Sequence, residues 1–239
     1  MSGHNKWSGI KHKKALTDAK RASVFTKIAK DVALAAREGG SDPETNFRLR
    51  IAIDKARAAN MPKDNIERAV QRGAGELKGE AQIEEVIYEA YGPGQVAMII
   101  KTATDNKKRT LSEVKNILKK NNGKFVDGGG VAWQFEQRGM LLVTGEETNA
   151  EEVEMKIIES GADSYENTAE GIYIYTKPQD LQKVKEYLET QGLGIEGAEL
   201  TFLAKEKMVI STEDNEKYQT LCEALNENDD VVEIWDNLE

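Results

Sequence analysis

Hydrophobic residues in the first third of the chain recur with the period of an α-helix. At about 100° per residue, the apolar side chains of residues 24–37 fall on one arc and the charged ones on the other. That apolar arc comprises Val24, Phe25, Ile28, Ala29, Val32, Ala35 and Ala36. Gly39-Gly40 ends the helix. Extending it backward places Lys20 on the apolar arc, so we predict a break near Ala22-Ser23, a separate basic helix over residues 10–20, and Ser23 as the N-cap.

Two more helices with the same period follow. Asp42-Pro43-Glu44 supplies an N-cap, a first-turn proline and a first-turn acid for the second helix. Met61-Pro62 begins the third helix, which Gly73 closes. We therefore predict an N-terminal helical domain over residues 1–76.

From residue 80 the hydrophobic period changes from 3.6 to 2. It predicts strands over 86–90 and 96–101, a helix over 107–120 and a strand over 131–135. Residues 140–202 then show the order β-α-β-β-α-β, which is typical of the ferredoxin-like fold. An extended piece at 207–210, a helix at 213–225 and a strand at 231–235 supply what the 80–135 sheet lacks. The predicted fold class is α+β, with a middle α/β domain (80–136 plus 205–239) interrupted by an inserted ferredoxin-like domain (137–204).

Charge is distributed unevenly along these domains. The 239 residues hold 33 Lys+Arg and 42 Asp+Glu, a net charge of −9. Residues 1–75 carry 16 basic and 8 acidic side chains (+8), which leaves 17 basic and 34 acidic (−17) for residues 76–239. A basic segment on an acidic body is typical of a protein that binds a polyanion; the alternative is a solvated helical surface that is basic. We expect the acidic domains not to wrap nucleic acid.

Several function classes are excluded by what the sequence lacks. A single cysteine allows no intramolecular disulfide, and no apolar run is longer than the five residues 96–100, which is far too short to span a bilayer. No nucleophile elbow, Walker loop or His-Glu-x-x-His motif is present. We interpret the glycine-rich segment 127–130 as a turn and Cys222 as a buried structural thiol. We therefore expect no enzyme activity, no cofactor, no metal and no small-molecule substrate.

The basic N-terminal segment, defined here as residues 1–30, holds the candidate nucleic-acid contacts. Its candidate residues are Lys6, Trp7, Lys11, His12, Lys13, Lys14, Lys20, Arg21, Lys27 and Lys30. The cations suit phosphates, His12 is a further donor, and the Trp7 ring either stacks on an unpaired base or anchors the segment on the helical domain. A second group, Lys107, Lys108 and Arg109, opens the middle-domain helix and either contacts phosphate or forms a solvated turn.

Several segments in order resemble the YebC/PmpR family along essentially the whole chain. They include Gly3-His4-x-Lys6-Trp7, Ile10-Lys11-His12-Lys13-Lys14, Asp18-Ala19-Lys20-Arg21, Phe25-Thr26-Lys27, Ala35-Ala36-Arg37-Glu38-Gly39-Gly40, Asp54-Lys55-Ala56, Asn60-Met61-Pro62-Lys63-Asp64-Asn65-Ile66-Glu67-Arg68-Ala69, Tyr91-Gly92-Pro93-Gly94 and Thr104-Asp105-Asn106. The segment Ala22-Ser23-Val24 departs from the commoner glycine-and-basic version. The resemblance implies three domains, the third inserted in the second.

The resemblance also implies two functions for such a protein. Family members are described as DNA-binding transcriptional regulators and as ribosome-associated factors that help translation through proline-rich stretches near the large-subunit RNA. A mobile basic segment with an aromatic suits irregular RNA, so we favour a translation factor over a duplex-DNA regulator. Because no presequence precedes the family motif, the chain resembles the bacterial, cytoplasmic members more than their mitochondrial relatives. We also expect a monomer with nucleic acid as its partner and no membrane contact.

Overall fold

The computed structural model describes residues 18–77, 79–144 and 150–239, with only the backbone for residues 18–21 and 150. The chain divides into two compact units. The first runs to residue 135 and resumes at residues 204–239, and the second comprises residues 136–203. The N-terminal helices and the first α/β domain therefore belong to one unit, and the chain leaves that unit and returns to it.

Three helices open the first unit: α1 (Asp18–Gly39), α2 (Phe47–Ala58) and α3 (Lys63–Gly73). They enclose a small core that includes Val32, Leu49 and Ala56. A side chain at Gly73 would clash with the Ala33 carbonyl, so glycine there lets the end of α3 approach α1 closely.

The predicted break in α1 is wrong, because the helix runs through Ala22 and Ser23 without interruption. Ser23 is not an N-cap; its hydroxyl donates to the Asp229 carboxylate at 3.1 Å. The break was inferred from one apolar arc, but α1 has partners on two sides. Ile28 and Val32 join the helical core, whereas Ala33 and Leu34 pack with residues of the α/β domain.

The start of α2 also differs from the prediction. Asp42 lies in a turn, where its carboxylate accepts from the Glu44 amide at 2.9 Å. The N-cap is Asn46, which accepts from the Leu49 amide at 3.0 Å. The buried Asn46 amide also donates to the carbonyls of Ala35 and Gly40, so the cap is fixed by contacts with the end of α1.

The α/β part of the first unit is a four-stranded sheet in the order β3-β1-β2-β8. Its strands are β1 (Glu84–Tyr91), β2 (Ala97–Thr104), β3 (Lys124–Val126) and β8 (Val231–Asp236), and its helices are α4 (Lys107–Lys120) and α7 (Thr212–Asn226). Met98, Val114 and Leu221 belong to one buried cluster between sheet and helices. The predicted strand over 131–135 is wrong, since Ala132–Gln134 forms a 3₁₀ turn and the third strand is β3.

The second unit has the predicted ferredoxin-like order. Its elements are β4 (Phe135–Val143), α5 (Ala150–Glu159), β5 (Ser164–Thr168), β6 (Gly171–Thr176), α6 (Leu181–Thr190) and β7 (Ile195–Ala204). The sheet order is β5-β6-β4-β7, and Leu141 and Ile174 are fully buried. The fold class predicted from the sequence, with an α/β domain inserted in another, is confirmed.

Candidate nucleic-acid interface

Most of the predicted contact residues lie outside the part of the chain that the structure describes. These residues are Lys6, Trp7, Lys11, His12, Lys13 and Lys14. Lys20 and Arg21 belong to the first turn of α1, but their side chains are not described. Their roles therefore stay predictions.

Lys27 and Lys30 are turned toward the loop of residues 226–230, which joins α7 to β8. The Lys27 ammonium donates to the Asn226 carbonyl at 2.5 Å. The Lys30 ammonium donates to the Asp229 carbonyl at 2.9 Å and pairs with the Asp230 carboxylate at 2.5 Å. Because the Lys30 side chain is only 13% exposed, we assign it to domain packing and omit it from the nucleic-acid surface.

Asp230 links α1 to α4. Its carboxylate is 6% exposed and accepts from Arg109 at 2.8 Å and from the Thr110 hydroxyl at 2.6 Å, in addition to Lys30. Burial raises the pKa of Asp230, but the hydrogen bonds from Arg109, Lys30 and Thr110 outweigh it and lower that pKa to about 2. The carboxylate is therefore ionised at neutral pH and stabilises the contact between the two helices.

The other basic residues of the helical domain are also occupied. Each of the ten Lys and Arg side chains between residues 22 and 75 has a recorded hydrogen bond or ion pair. These ten are Lys27, Lys30, Arg37, Arg48, Arg50, Lys55, Arg57, Lys63, Arg68 and Arg72. Several of their acceptors belong to the acidic part of the chain, residues 76–239: Glu80, Glu85, Asp230 and Glu233. Much of the positive charge of the helical domain is therefore paired with acceptors inside the first unit.

Lys101 on β2 shows how far this pairing extends. Its ammonium lies 3.1 Å from Asp31 of α1, 3.6 Å from Glu233 of β8 and 3.7 Å from Glu85 of β1. Burial lowers the pKa of Lys101, but the three carboxylates raise it more, so the net shift is upward and the lysine stays charged. The helical domain thus rests on the sheet through ion pairs as well as apolar contacts.

The second predicted group, at the start of α4, divides into different roles. Lys107 pairs with Glu84. Arg109 donates to Asp105 at 3.0 Å and to Asp230 at 2.8 Å. Lys108 is exposed, and no ion pair or hydrogen bond of its side chain is recorded within the described residues. Of the three, Lys108 is the one free to meet a phosphate.

Further along α4 the structure shows basic residues that the sequence reasoning missed. Residues 107–124 contain seven Lys and Arg and one acid, Glu113. Within the described residues no acidic partner or hydrogen bond is recorded for five of these side chains: Lys108, Lys115, Lys119, Lys120 and Lys124. Of the other described basic side chains after residue 75, only Lys177, Lys183 and Lys207 likewise have no recorded acidic partner or hydrogen bond. The excess of basic residues over 107–124 is visible in the sequence, but the prediction named only Lys107, Lys108 and Arg109.

The glycine-rich segment is a turn, as predicted, and its amides bind an internal anion. The carboxylate of Glu89 accepts from the amides of Gly129 and Val131 at 2.6 Å and from Ala132 at 2.7 Å. Burial raises the pKa of Glu89, but the three backbone donors lower it more, so the net shift is downward. These amides are therefore not available for a ligand phosphate.

The described residues offer little other chemistry. Cys222 is partly buried, and burial raises the pKa of its thiol to about 12, so it stays protonated at neutral pH. Over residues 18–77, 79–144 and 150–239 no cluster of three His, Cys, Asp or Glu side chains is arranged to hold a metal ion. In the same ranges no helix is both long and apolar enough to cross a membrane.

Comparison with known proteins agrees with this architecture. Residues 5–76 match the model of the TACO1/YebC protein N-terminal domain, and residues 83–238 match that of the TACO1/YebC second and third domain. The chain belongs to the TACO1/YebC family. The resemblance seen in the sequence motifs is thus confirmed over nearly the whole length.

Individual TACO1/YebC relatives align along the full chain. A protein from Persephonella marina is 48% identical over 241 residues, covering 100% of this chain and 96% of the relative. One from Pseudothermotoga lettingae is 45% identical over 240 residues, covering 100% and 94%. Both are named "Probable transcriptional regulatory protein". The crystal structure of a conserved hypothetical protein from Aquifex aeolicus is similar, with a TM-score of 0.85 and 44% identity over 96% of this chain and 95% of that one.

Proposed function

We propose that this TACO1/YebC protein is a non-enzymatic, nucleic-acid-binding regulator of gene expression. We propose further that it acts at the ribosome, where its basic N-terminal segment contacts large-subunit rRNA and helps translation through proline-rich stretches. One observation supports a nucleic-acid partner. Residues 1–21 hold six Lys and Arg against one acid, whereas the ten described basic side chains of residues 22–75 have partners within the protein.

The choice of RNA rests on how α1 uses its polar side chains. Lys27, Lys30 and Arg37 all donate to acceptors within the protein, so the described part of α1 presents few donors to the base edges of a major groove. A basic segment that contains the Trp7 ring instead suits irregular RNA, where unpaired bases stack on aromatic side chains.

Duplex DNA is the second candidate, because relatives carry the name "Probable transcriptional regulatory protein". The basic N-terminal segment would contact DNA phosphates with the same residues, since phosphate contacts carry little sequence information. The two candidates therefore differ in the target and share the surface.

The shared surface is tested by replacing Lys11, Lys13 and Lys14 with Ala. We expect weaker binding to an RNA hairpin and to a DNA duplex, with a salt dependence flatter by roughly 0.7 to 0.9 in log–log slope per lost contact. The matched control replaces Lys177, Lys183 and Lys207, which are exposed and have no recorded partner within the described residues. A slope equal to that of the control would contradict the basic N-terminal segment as the contact surface.

The target is tested by sedimenting cell lysate through a sucrose gradient with and without nuclease. Co-migration with the large ribosomal subunit that survives DNase and is lost with RNase supports the translation factor. Absence from those fractions, together with tight duplex binding at physiological salt, would replace it with the DNA-binding regulator.

A further inference from the structure

The solvent face of α4 carries a row of lysines. Lys108, Lys115 and Lys119 are separated by seven and four residues, which at 3.6 residues per turn places them within about 20° of a common line. Ser112 lies between Lys108 and Lys115 along the helix, about 40° to one side of that line. We call these three lysines the α4 lysine row. It extends over about 17 Å of helix, the axial length of about five phosphates on one strand of a duplex.

This row is available to an external partner. Its three lysines are exposed, and no ion pair is recorded for them within the described residues. The Lys115 ammonium lies 4.3 Å from the centre of the Phe125 ring, an interaction that fixes the side chain without neutralising its charge. The acid of this segment, Glu113, accepts from Asn228 at 2.8 Å and lies 3.9 Å from Arg109. Exposed Lys120 and Lys124 add charge beyond the end of the row.

The composition of this face favours a polyanion over a membrane. The exposed side chains between and beside the lysines are Ser112 and Asn116. Leu111, on the other side of the row, is partly buried against the core, and Val114 and Leu118 are buried in it. A helix that lies on a bilayer needs an apolar face to insert. The α4 helix has already used its apolar face on the sheet, so the face left to solvent is polar and cationic.

The row begins beside the helix that carries the basic N-terminal segment. Asp230 accepts from Lys30 of α1 and from Arg109 of α4. Closer to the start of α1, Ser23 donates to Asp229 of the same loop. The loop of residues 226–230 therefore connects the second to fourth turns of α1 with the first turn of α4. A polyanion bound by the basic N-terminal segment has a continuation of positive charge along α4.

We propose that the α4 lysine row is a second phosphate-binding surface, which holds the same nucleic acid that the basic N-terminal segment binds. The proposal rests on the proposed function. It extends along α4 the phosphate contact that the sequence left open at Lys107, Lys108 and Arg109, and it replaces the expectation that the acidic domains do not wrap nucleic acid. The row would contribute non-specific phosphate contacts and fix the direction in which the nucleic acid leaves α1.

The test is the triple substitution Lys108→Gln, Lys115→Gln and Lys119→Gln, in which glutamine keeps part of each aliphatic stem. With an RNA hairpin and a DNA duplex as probes, we expect at least about tenfold weaker binding near 0.1 M salt and a log–log salt slope reduced by about 2 to 3. The control, Lys177, Lys183 and Lys207 to Gln, changes net charge equally. A loss no larger than that of the control would overturn the proposal.

A second measurement does not depend on lost affinity. Ser112→Cys labelled with a thiol-directed photo-crosslinker should crosslink to the bound RNA or DNA, whereas the same label at exposed Gln179→Cys should not. Native Cys222 is partly buried with a raised pKa, so it competes poorly for the label. Equal crosslinking at both sites would contradict the proposal.

The remaining outcomes separate this inference from the proposed function. If the Lys11/Lys13/Lys14 variant loses affinity but the α4 variant matches its control, the inference fails and the proposed function stands. If the intact protein binds neither probe, both fail. Binding to vesicles of phosphatidylserine and phosphatidylcholine that the α4 variant loses, with unchanged nucleic-acid binding, would assign the row to a membrane surface instead.

Discussion

Asp230 shows how a single carboxylate decides the role of neighbouring cations. Lys30, Arg109 and Thr110 all donate to it, and its side chain is 6% exposed. A phosphate could capture Lys30 only by leaving this carboxylate buried without one of its cations, which is costly. Sequence spacing alone could not reveal this, because Lys30 and Asp230 are 200 residues apart.

The low pKa of Asp230 predicts an acid-sensitive step in stability. The pKa is about 2 in the folded chain against 3.8 for the free side chain, so the stabilisation is present above pH 4 and is lost as pH falls toward 2. We expect the loss to be about 2 kcal/mol in the free energy of unfolding. Urea unfolding of the wild type and of Asp230→Asn across this pH range measures it.

At neutral pH, Asp230→Asn should unfold more easily by about 3 kcal/mol, because it leaves Lys30 without its carboxylate. Between pH 4 and 2 the variant should lack the wild-type decline. The control is Asp229→Asn, since that exposed carboxylate accepts one hydroxyl at 3.1 Å and should contribute little. Parallel pH profiles for wild type and Asp230→Asn would contradict the assignment.

At the scale of elements, prediction succeeded where the signals are local. The bounds of α4, residues 107–120, were predicted from its apolar period, and the structure gives Lys107–Lys120 with Asn106 as the N-cap. The segment 131–135 was misassigned because its backbone is fixed by Glu89, more than forty residues earlier in the chain. Alternating apolar residues cannot report a distant carboxylate that bends the chain into a turn.

A continuous α1 and a helix that begins at Ser23 predict different effects of replacing Ser23. Ser23 lies within the helix, so Ser23→Ala should change the free energy of unfolding by less than about 0.5 kcal/mol, and Ser23→Gly should be less stable than Ser23→Ala by about 1 kcal/mol. An N-cap gives the opposite ranking, with Ala costing about 1 kcal/mol and Gly a few tenths. Thermal or urea unfolding of the two variants decides between them. A more stable Gly variant would restore the break.

For the whole molecule, the sequence predicts where charge lies along the chain better than it predicts what the charged side chains contact. The sequence shows a basic N-terminal domain and an acidic remainder, and both are real. It cannot show that the described basic side chains of the helical domain pair with acids such as Glu85 and Glu233 of the sheet, since those pairs form only in the folded chain. The sequence therefore predicts candidate contacts, but it cannot show that Lys30 is occupied by a buried carboxylate. The prediction also did not include Lys115 and Lys119 of the α4 lysine row.

The inserted unit accounts for most of the acidity. Residues 136–203 contain 15 acids and 5 bases, a net charge of −10, so the remaining chain carries −9 + 10 = +1. The two ends of the insertion meet, because the amide of Lys205 donates to the carbonyl of Gln134 at 2.9 Å. Each part of the first unit also has its own buried core.

Replacing residues 136–203 with a short Gly-Ser linker should therefore leave a chain that folds and binds nucleic acid. We expect affinity for an RNA hairpin and a DNA duplex near 0.15 M salt at least equal to that of the intact protein, because the excised unit holds none of the proposed contacts and removes negative charge. The salt slope should change by less than about 1, since the same phosphates are contacted. A cooperative unfolding transition verifies folding. A folded variant that binds more than about tenfold more weakly would place essential contacts in the inserted unit. That result would contradict the proposal that the nucleic-acid contacts belong to the first unit.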